Sequence, residues 1–276
     1  MPKVKVGDIN IYYEIHGKGE PLVMIAGFTM STAFWFKAVP VFSREYRLVV
    51  FDNRGAGQSD KPDVPYTIDM MTDDLAGLLD AIGIDSAHIF GHSMGGAIAQ
   101  QFALRYPRRV RGLILASTGF GGPHAVINNN PEVKPFFERM PSLPLKEVVM
   151  EWLRLFWIQD FIDNNPGFVQ ELIAKITEHP TPPHGQMRQG QAIASHNTYE
   201  RLPEIKAPTL VITGDADILV PAENARIMAS RIPGAELVIL KNMGHHFMFE
   251  AEDESNRVML DFLRRHRRSG KGAKNT

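Results

Sequence analysis

Short apolar runs at 22–26, 48–51, 87–90, 113–116, 210–213 and 237–240 constrain this chain more than any other feature, because they lack the alternation of a half-exposed strand. Strands of this kind are buried on both faces, and that requires helices above and below the sheet. The intervening segments supply them. Met71, Leu75, Leu78 and Ile82 recur at steps of four, three and four, and Gly83 is placed to end the helix. Residues 94–106 are helix-compatible and stop before Pro107, while Pro221 suits the first turn of a helix running toward Arg231. Ahead of these, 3–6 and 9–15 read as strands joined at Gly7-Asp8, a pair that favours a hairpin turn. The pattern predicts an α/β protein with a mostly parallel central sheet flanked by helices.

The strand–helix alternation stops between 119 and 203. There Val148, Val149, Trp152, Leu153 and Phe156 form one broad helical apolar face, and Val169, Leu172, Ile173 and Ile176 form another. Prolines at 180, 182 and 183 punctuate the stretch. Nothing in it reads as a strand. The expectation is a helical cap inserted at 119–203 between a first core part, 1–118, and a second, 204–276. Its aromatic and methionine side chains either line an apolar pocket or glue cap to core. The second part carries Arg264-Arg265-His266-Arg267-Arg268, read as the start of a solvated, frayed basic tail.

At 276 residues the chain can bury a large core without staples, and it has no cysteine, which excludes disulfides, a thiol nucleophile and thiolate metal sites. A net charge of -1 offers no general attraction to nucleic acid or to an anionic membrane. No run approaches the ~18 apolar residues of a membrane span, and no apolar stretch follows the early lysines. These features lead to the expectation of a cytoplasmic protein, monomer or homo-oligomer, acting on a small molecule. Gly17-Lys18-Gly19 and Gly55-Ala56-Gly57 lack the third glycine of a dinucleotide fingerprint. No Gly-Lys-Ser/Thr loop or His-Glu-x-x-His helix occurs, so neither cofactor nor metal is expected.

Chemistry concentrates at Gly91-His92-Ser93-Met94-Gly95, between an apolar run and a helix. A serine on so sharp a turn takes a strained backbone, and only glycines two residues away on each side let strand and helix approach. The N–H of Met94 then opens a helix and can stabilise an oxyanion. A serine hydroxyl needs a base, and the base needs an orienting acid. His245 follows Gly244 in the loop after the last apolar run, where a side chain can swing over the sheet edge; spacing alone does not separate it from His246. His92 sits on the tight turn itself, which suits packing or tuning. No Asp or Glu occurs between Ser93 and Glu132, which leaves the loop Gly214-Asp215-Ala216-Asp217 for the acid. Asp215 is close to the strand and suited to fixing the turn; Asp217 lies deeper and is the preferred acid. Gly27-Phe28, after the 22–26 run, offers the N–H of Phe28 as a second oxyanion donor.

These motifs, together with Asp52-Asn53-Arg54-Gly55-Ala56-Gly57-Gln58-Ser59 and Val220-Pro221, make the chain resemble the α/β-hydrolase superfamily over nearly its whole length. It is most similar to the small capped esterases and lactonases, including the 3-oxoadipate enol-lactonase-like group. The resemblance implies Ser93 as nucleophile, Asp217 as acid, His245 as base, Phe28 and Met94 as oxyanion donors, and 52–59 as a structural turn. One departure is Ala26-Gly27, where many members carry His-Gly. The expected function is cofactor-free hydrolysis of carboxylic esters or lactones. The alternatives are perhydrolysis, C–C hydrolysis, lyase or acyl-transfer chemistry on the same fold, or a ligand receptor with little turnover.

Overall fold

A computed structural model describes residues 2–267. The chain forms an 8-stranded sheet in the order β1-β2-β4-β3-β5-β6-β7-β8. Its strands are β1 (Lys3–Val6), β2 (Ile9–His16), β3 (Glu20–Ile25), β4 (Tyr46–Phe51), β5 (Ala87–His92), β6 (Val110–Ala116), β7 (Thr209–Gly214) and β8 (Glu236–Leu240). β1 pairs with β2, and β2 with β4, antiparallel; every other pairing is parallel. The protein has the α/β-hydrolase fold.

Burial explains the missing alternation. Val23 and Ile25 enter one apolar layer, whereas Leu22 and Met24 enter the other, so consecutive residues of β3 are all fully buried. The first layer is covered by α2 (Ile68–Ala81), α3 (Met94–Arg105) and α9 (Ala222–Arg231). The opposite layer is covered by α1 (Ala38–Phe42), α10 (Phe247–Glu250) and α11 (Glu252–Arg265). α2 starts where the Thr67 hydroxyl accepts from the Met70 N–H at 3.0 Å, and it ends before Gly83, whose φ is 69°. The 237–240 run departs from the expectation. β8 is an edge strand, and Leu237 is 36% exposed there because only one neighbour covers it.

Between β6 and β7 the chain forms α4 (Val133–Arg139), α5 (Leu145–Phe156), α6 (Gln159–Asn164), α7 (Pro166–Glu178) and α8 (Pro183–Ala194). The strand-like pairing recorded among its described residues is an isolated bridge, Gly121 to Asn197. α5 buries Val148, Val149, Trp152, Leu153 and Phe156 against the second layer, while on α7 only Leu172 is fully buried. The start of the basic run is docked on the core. Arg264 and Arg267 both pair with Glu45 (2.5 and 2.6 Å), and Arg265 pairs with Glu236 at 2.7 Å. The expectation of a frayed tail thus fails for Arg264, Arg265 and Arg267, and the rest of that expectation, from Arg268 on, lies outside the described residues. No helix among the described residues is long and apolar enough to cross a membrane.

Candidate active site

In the strand order β4-β3-β5, successive connections leave β3 in opposite directions, which makes the C-terminal ends of β3 and β5 the place where such sheets open a crevice. β5 ends at His92, and Ser93 follows with φ 55° and ψ −120° before α3 begins. A positive φ at a non-glycine residue is costly and persists only where its surroundings enforce it. The glycines show how. A Cβ on Gly91 would stand 2.2 Å from the Gly95 carbonyl oxygen, and one on Gly95 would stand 2.1 Å from that of Ile25. Strand, elbow and helix are thus pressed together more closely than any side chain permits.

Ser93 is fixed through its backbone. Its N–H donates to Ala116 O at 2.9 Å, and its carbonyl accepts from Gly96 N and from the Thr118 hydroxyl, each at 2.8 Å. Among the described residues, the N–H groups of Phe28 and Met94 have no acceptor. Gly27 brings the first of these turns against the elbow, since its Cβ position lies 3.1 Å from that of Ser93.

The structure brings Asp217 and His245 together. His245 Nδ1 donates to Asp217 Oδ2 at 2.7 Å, and the other carboxylate oxygen accepts from Leu219 N and Val220 N, both at 2.9 Å. A carboxylate takes a donor on Nδ1, which leaves Nε2 of a neutral ring as the acceptor; that atom is buried and unpartnered. Asp215 instead accepts from Asn242 N at 2.5 Å, tying its loop to the one after β8, so the local turn-fixing bonds expected of it are made by Asp217. His246 has no contact with Asp217: its N–H donates to Phe156 O at 3.2 Å, and its ring packs edge-on to Trp157 at 4.2 Å.

The α/β hydrolase fold family matches residues 20–252. The chain belongs to that family. Three similar proteins span almost the same length. A protein of Azorhizobium caulinodans, provisionally named carbamate hydrolase RutD, is 29% identical over 95% of this chain and 98% of its own. The 2-hydroxy-6-oxononadienedioate/2-hydroxy-6-oxononatrienedioate hydrolase of Burkholderia vietnamiensis is 30% identical over 94% of this chain and 92% of its own. The crystal structure of the enol-lactonase from Burkholderia xenovorans LB400 superposes with a TM-score of 0.86 at 26% identity, covering 95% and 100% of the two chains. All three names denote hydrolytic enzymes.

In this α/β hydrolase, Ser93 and Met94 open on a cavity of about 220 Å³. Its walls include Ala97, Val126, Ile193, Leu219 and Val220, with Thr118, His196 and Asn224 as the polar members. Thr118 and Asn224 are committed to backbone partners, whereas His196 Nε2 is buried and unpartnered. A second, smaller cavity of about 40 Å³ lies beside Thr29 and Met30 and is walled by Val148, Val149 and Trp152. No ionised side chain lines either cavity. The 119–203 side chains thus do both things expected of them: some wall a cavity, and others, such as Phe156 and Trp157, pack on the core.

Two supports were not legible in the sequence. His92 Nε2 donates to the His245 carbonyl at 3.2 Å, tying the His245 loop to the strand end that carries Ser93. Burial drives the His92 and His246 imidazoles well below their usual range, so both are neutral spacers. Glu250 accepts from Gly244 N at 2.5 Å and from Ile158 N at 2.7 Å, joining the His245 loop to the 119–203 segment. Both bonds join residues distant in sequence or buried in the loop, with no local pattern to announce them. The free nitrogens of His92, His245 and His246 lie within 4.8 Å of one another. A tetrahedral ion with bonds of about 2.0–2.1 Å would draw them to roughly 3.4 Å, and His92 already spends one nitrogen on the loop.

Proposed function

We propose that this α/β hydrolase is a serine hydrolase of carboxylic esters or lactones with uncharged acyl groups, and that 119–203 acts as its cap. Ser93 attacks the carbonyl carbon while His245 Nε2 takes the hydroxyl proton. Asp217 holds the ring in the tautomer that can do so and stabilises its charged form. The developing oxyanion is held by the N–H groups of Phe28 and Met94. As the tetrahedral intermediate collapses, His245 passes its proton to the leaving alkoxide. Water then attacks the acyl-serine, the same histidine takes its proton and returns it to Ser93 Oγ, and the carboxylic acid leaves.

The observation that carries this reading is the 2.7 Å bond between His245 and Asp217, which leaves Nε2 unpartnered in a loop tied to the end of β5. Substrate charge is argued from the walls. The relative named for a dioate acts on a molecule whose name carries two carboxylates, but neither the cavity at Ser93 nor the one at Thr29 and Met30 offers a lysine or arginine here. An anionic acyl chain would be desolvated without a partner, which is costly. The test is Ser93→Ala against esters of short and long acyl chains, lactones and carbamates. Turnover is expected to fall to background on every substrate the native protein hydrolyses, and retained turnover contradicts the proposal.

A further inference from the structure

Thr29, next to the proposed oxyanion donor Phe28, has φ 61°. It is the third residue of a turn closed by the Met30 N–H donating to Gly27 O at 3.2 Å. Turns with positive φ at that position take glycine, because a side chain there crowds the backbone. Threonine, branched at Cβ, is a poor occupant, so something outside the turn must hold it.

Both holds come from the 119–203 segment. The Thr29 N–H donates to Gln189 Oε1 at 2.8 Å, and the Thr29 carbonyl accepts from the Thr181 hydroxyl at 2.9 Å. Gln189, on α8, is fully buried, and its Nε2 donates to the Arg54 carbonyl at 2.8 Å. Its amide is therefore fixed at both ends, one end on the turn and the other on a core loop. That loop is itself anchored where Arg54 grips Asp74 through two bonds of 2.6 and 2.7 Å. α8 sits close to the same loop: a Cβ on Gly185 would stand 2.5 Å from Gly55 O.

We propose that Gln189 is a positioning residue for the oxyanion turn, so that the cap rather than the core orients the Phe28 N–H. The inference rests on the reading of Ser93 and Phe28 given above. Without Gln189, Thr29 relaxes toward negative φ, the 27–30 turn rotates, and the Phe28 N–H leaves the place where the oxyanion forms. The turn is complete only while α8 is seated.

The experiment is a double-mutant cycle of Gln189→Ala and Thr29→Gly, read by kcat and KM on a small activated ester and by the rate of inactivation with a fluorophosphonate. Removing one oxyanion donor costs about 10²–10³ in kcat. Misplacing it while Thr181 still holds the carbonyl is expected to cost roughly 10–100-fold, with KM within about twofold, because the interaction is made only in the transition state. Glycine holds a positive φ unaided, so in the Thr29→Gly background the effect of Gln189→Ala is expected to shrink to about threefold or less. An unchanged kcat in Gln189→Ala overturns the proposal, and so does a loss that Thr29→Gly leaves undiminished, since that would reflect general cap packing. If Gln189→Ala does not fold, Gln189→Met, which keeps the length of the side chain but removes the acceptor for the Thr29 N–H, takes its place in the same cycle with the same criteria. A native protein that turns over ester without an adduct at Ser93 contradicts the underlying reading and takes this proposal with it. Native labelling at Ser93 with no coupling in the cycle overturns the proposal alone.

Discussion

Asp217 Oδ2 lies 2.7 Å from His245 Nδ1, and the two residues are 4% and 1% exposed although they come from loops after different strands. Removing the acid's charge while keeping its shape isolates its effect on the ring. Asp217→Asn presents an amide that can settle the wrong tautomer on His245, and in comparable triads that costs about 10⁴ in kcat. We expect a loss of roughly 10³–10⁴ with an unfolding midpoint close to native. A loss under tenfold would remove Asp217 from the proposed triad.

Neutral walls around Ser93 make a charge prediction. Between two esters of equal acyl length, one ending in methyl and the other in carboxylate, the neutral ester is expected to have the higher kcat/KM by at least about 100-fold, since an unpaired buried carboxylate costs several kcal/mol. Steady-state kinetics on such a matched pair checks this, and equal values would mean that the acyl chain binds elsewhere.

Arg54 is 2% exposed and donates to both carboxylate oxygens of Asp74. Asp74→Ala leaves a buried guanidinium with Asp8 as its one remaining carboxylate partner among the described residues, at 3.1 Å and near the surface. Breaking a buried pair in this way costs about 3–5 kcal/mol. Urea denaturation should show that loss, and a change below about 1 kcal/mol would mean the loop does not depend on the pair.

Acid stability depends on buried groups with opposing signs. Burial pushes the His196 imidazole down from 6.5 to about 4. The folded chain then binds fewer protons than the unfolded chain between those values. Stability present above pH 6.5 is lost as pH falls through that window, by about 3 kcal/mol for this group. Asp52 is pushed up from 3.8 to about 6 by burial, so the folded chain holds its proton there and gains a similar amount as pH falls through 6. His92 and His246, both neutral through burial, add to the histidine side. A net fall in the urea midpoint between pH 6.5 and 4 is expected, made steeper by Asp52→Asn and shallower by His196→Gln. A midpoint that rises on acidification would contradict this balance.

Much of this architecture is written in local sequence. The interior strands were legible as short runs because burial on both faces demands apolar side chains at consecutive positions, whereas β1 and β2 were legible from the Gly7-Asp8 turn between them. The elbow was legible because close approach of strand and helix tolerates only glycine at 91 and 95. Less was legible at 32–42, where short helical turns bury Phe34 and Trp35 without completing an apolar repeat and with Pro40 inside. β8 reads like an interior strand, yet its place at the sheet edge depends on topology rather than on its residues. Gln189 and Glu250 had no signal at all. Each satisfies backbone groups brought near only by the folded chain, and a lone polar residue on a helix looks the same whether it faces water or a buried turn.

The central claim is that Ser93 is the atom-bearing centre of the chemistry, and mapping a covalent adduct tests it most directly. The native protein is treated with a fluorophosphonate probe, digested, and its peptides are read by mass spectrometry. The account predicts a single phosphonyl adduct on the peptide containing Ser93, appearing in step with loss of ester hydrolysis and absent in Ser93→Ala. An adduct on another residue, or hydrolysis that survives full labelling, would contradict it.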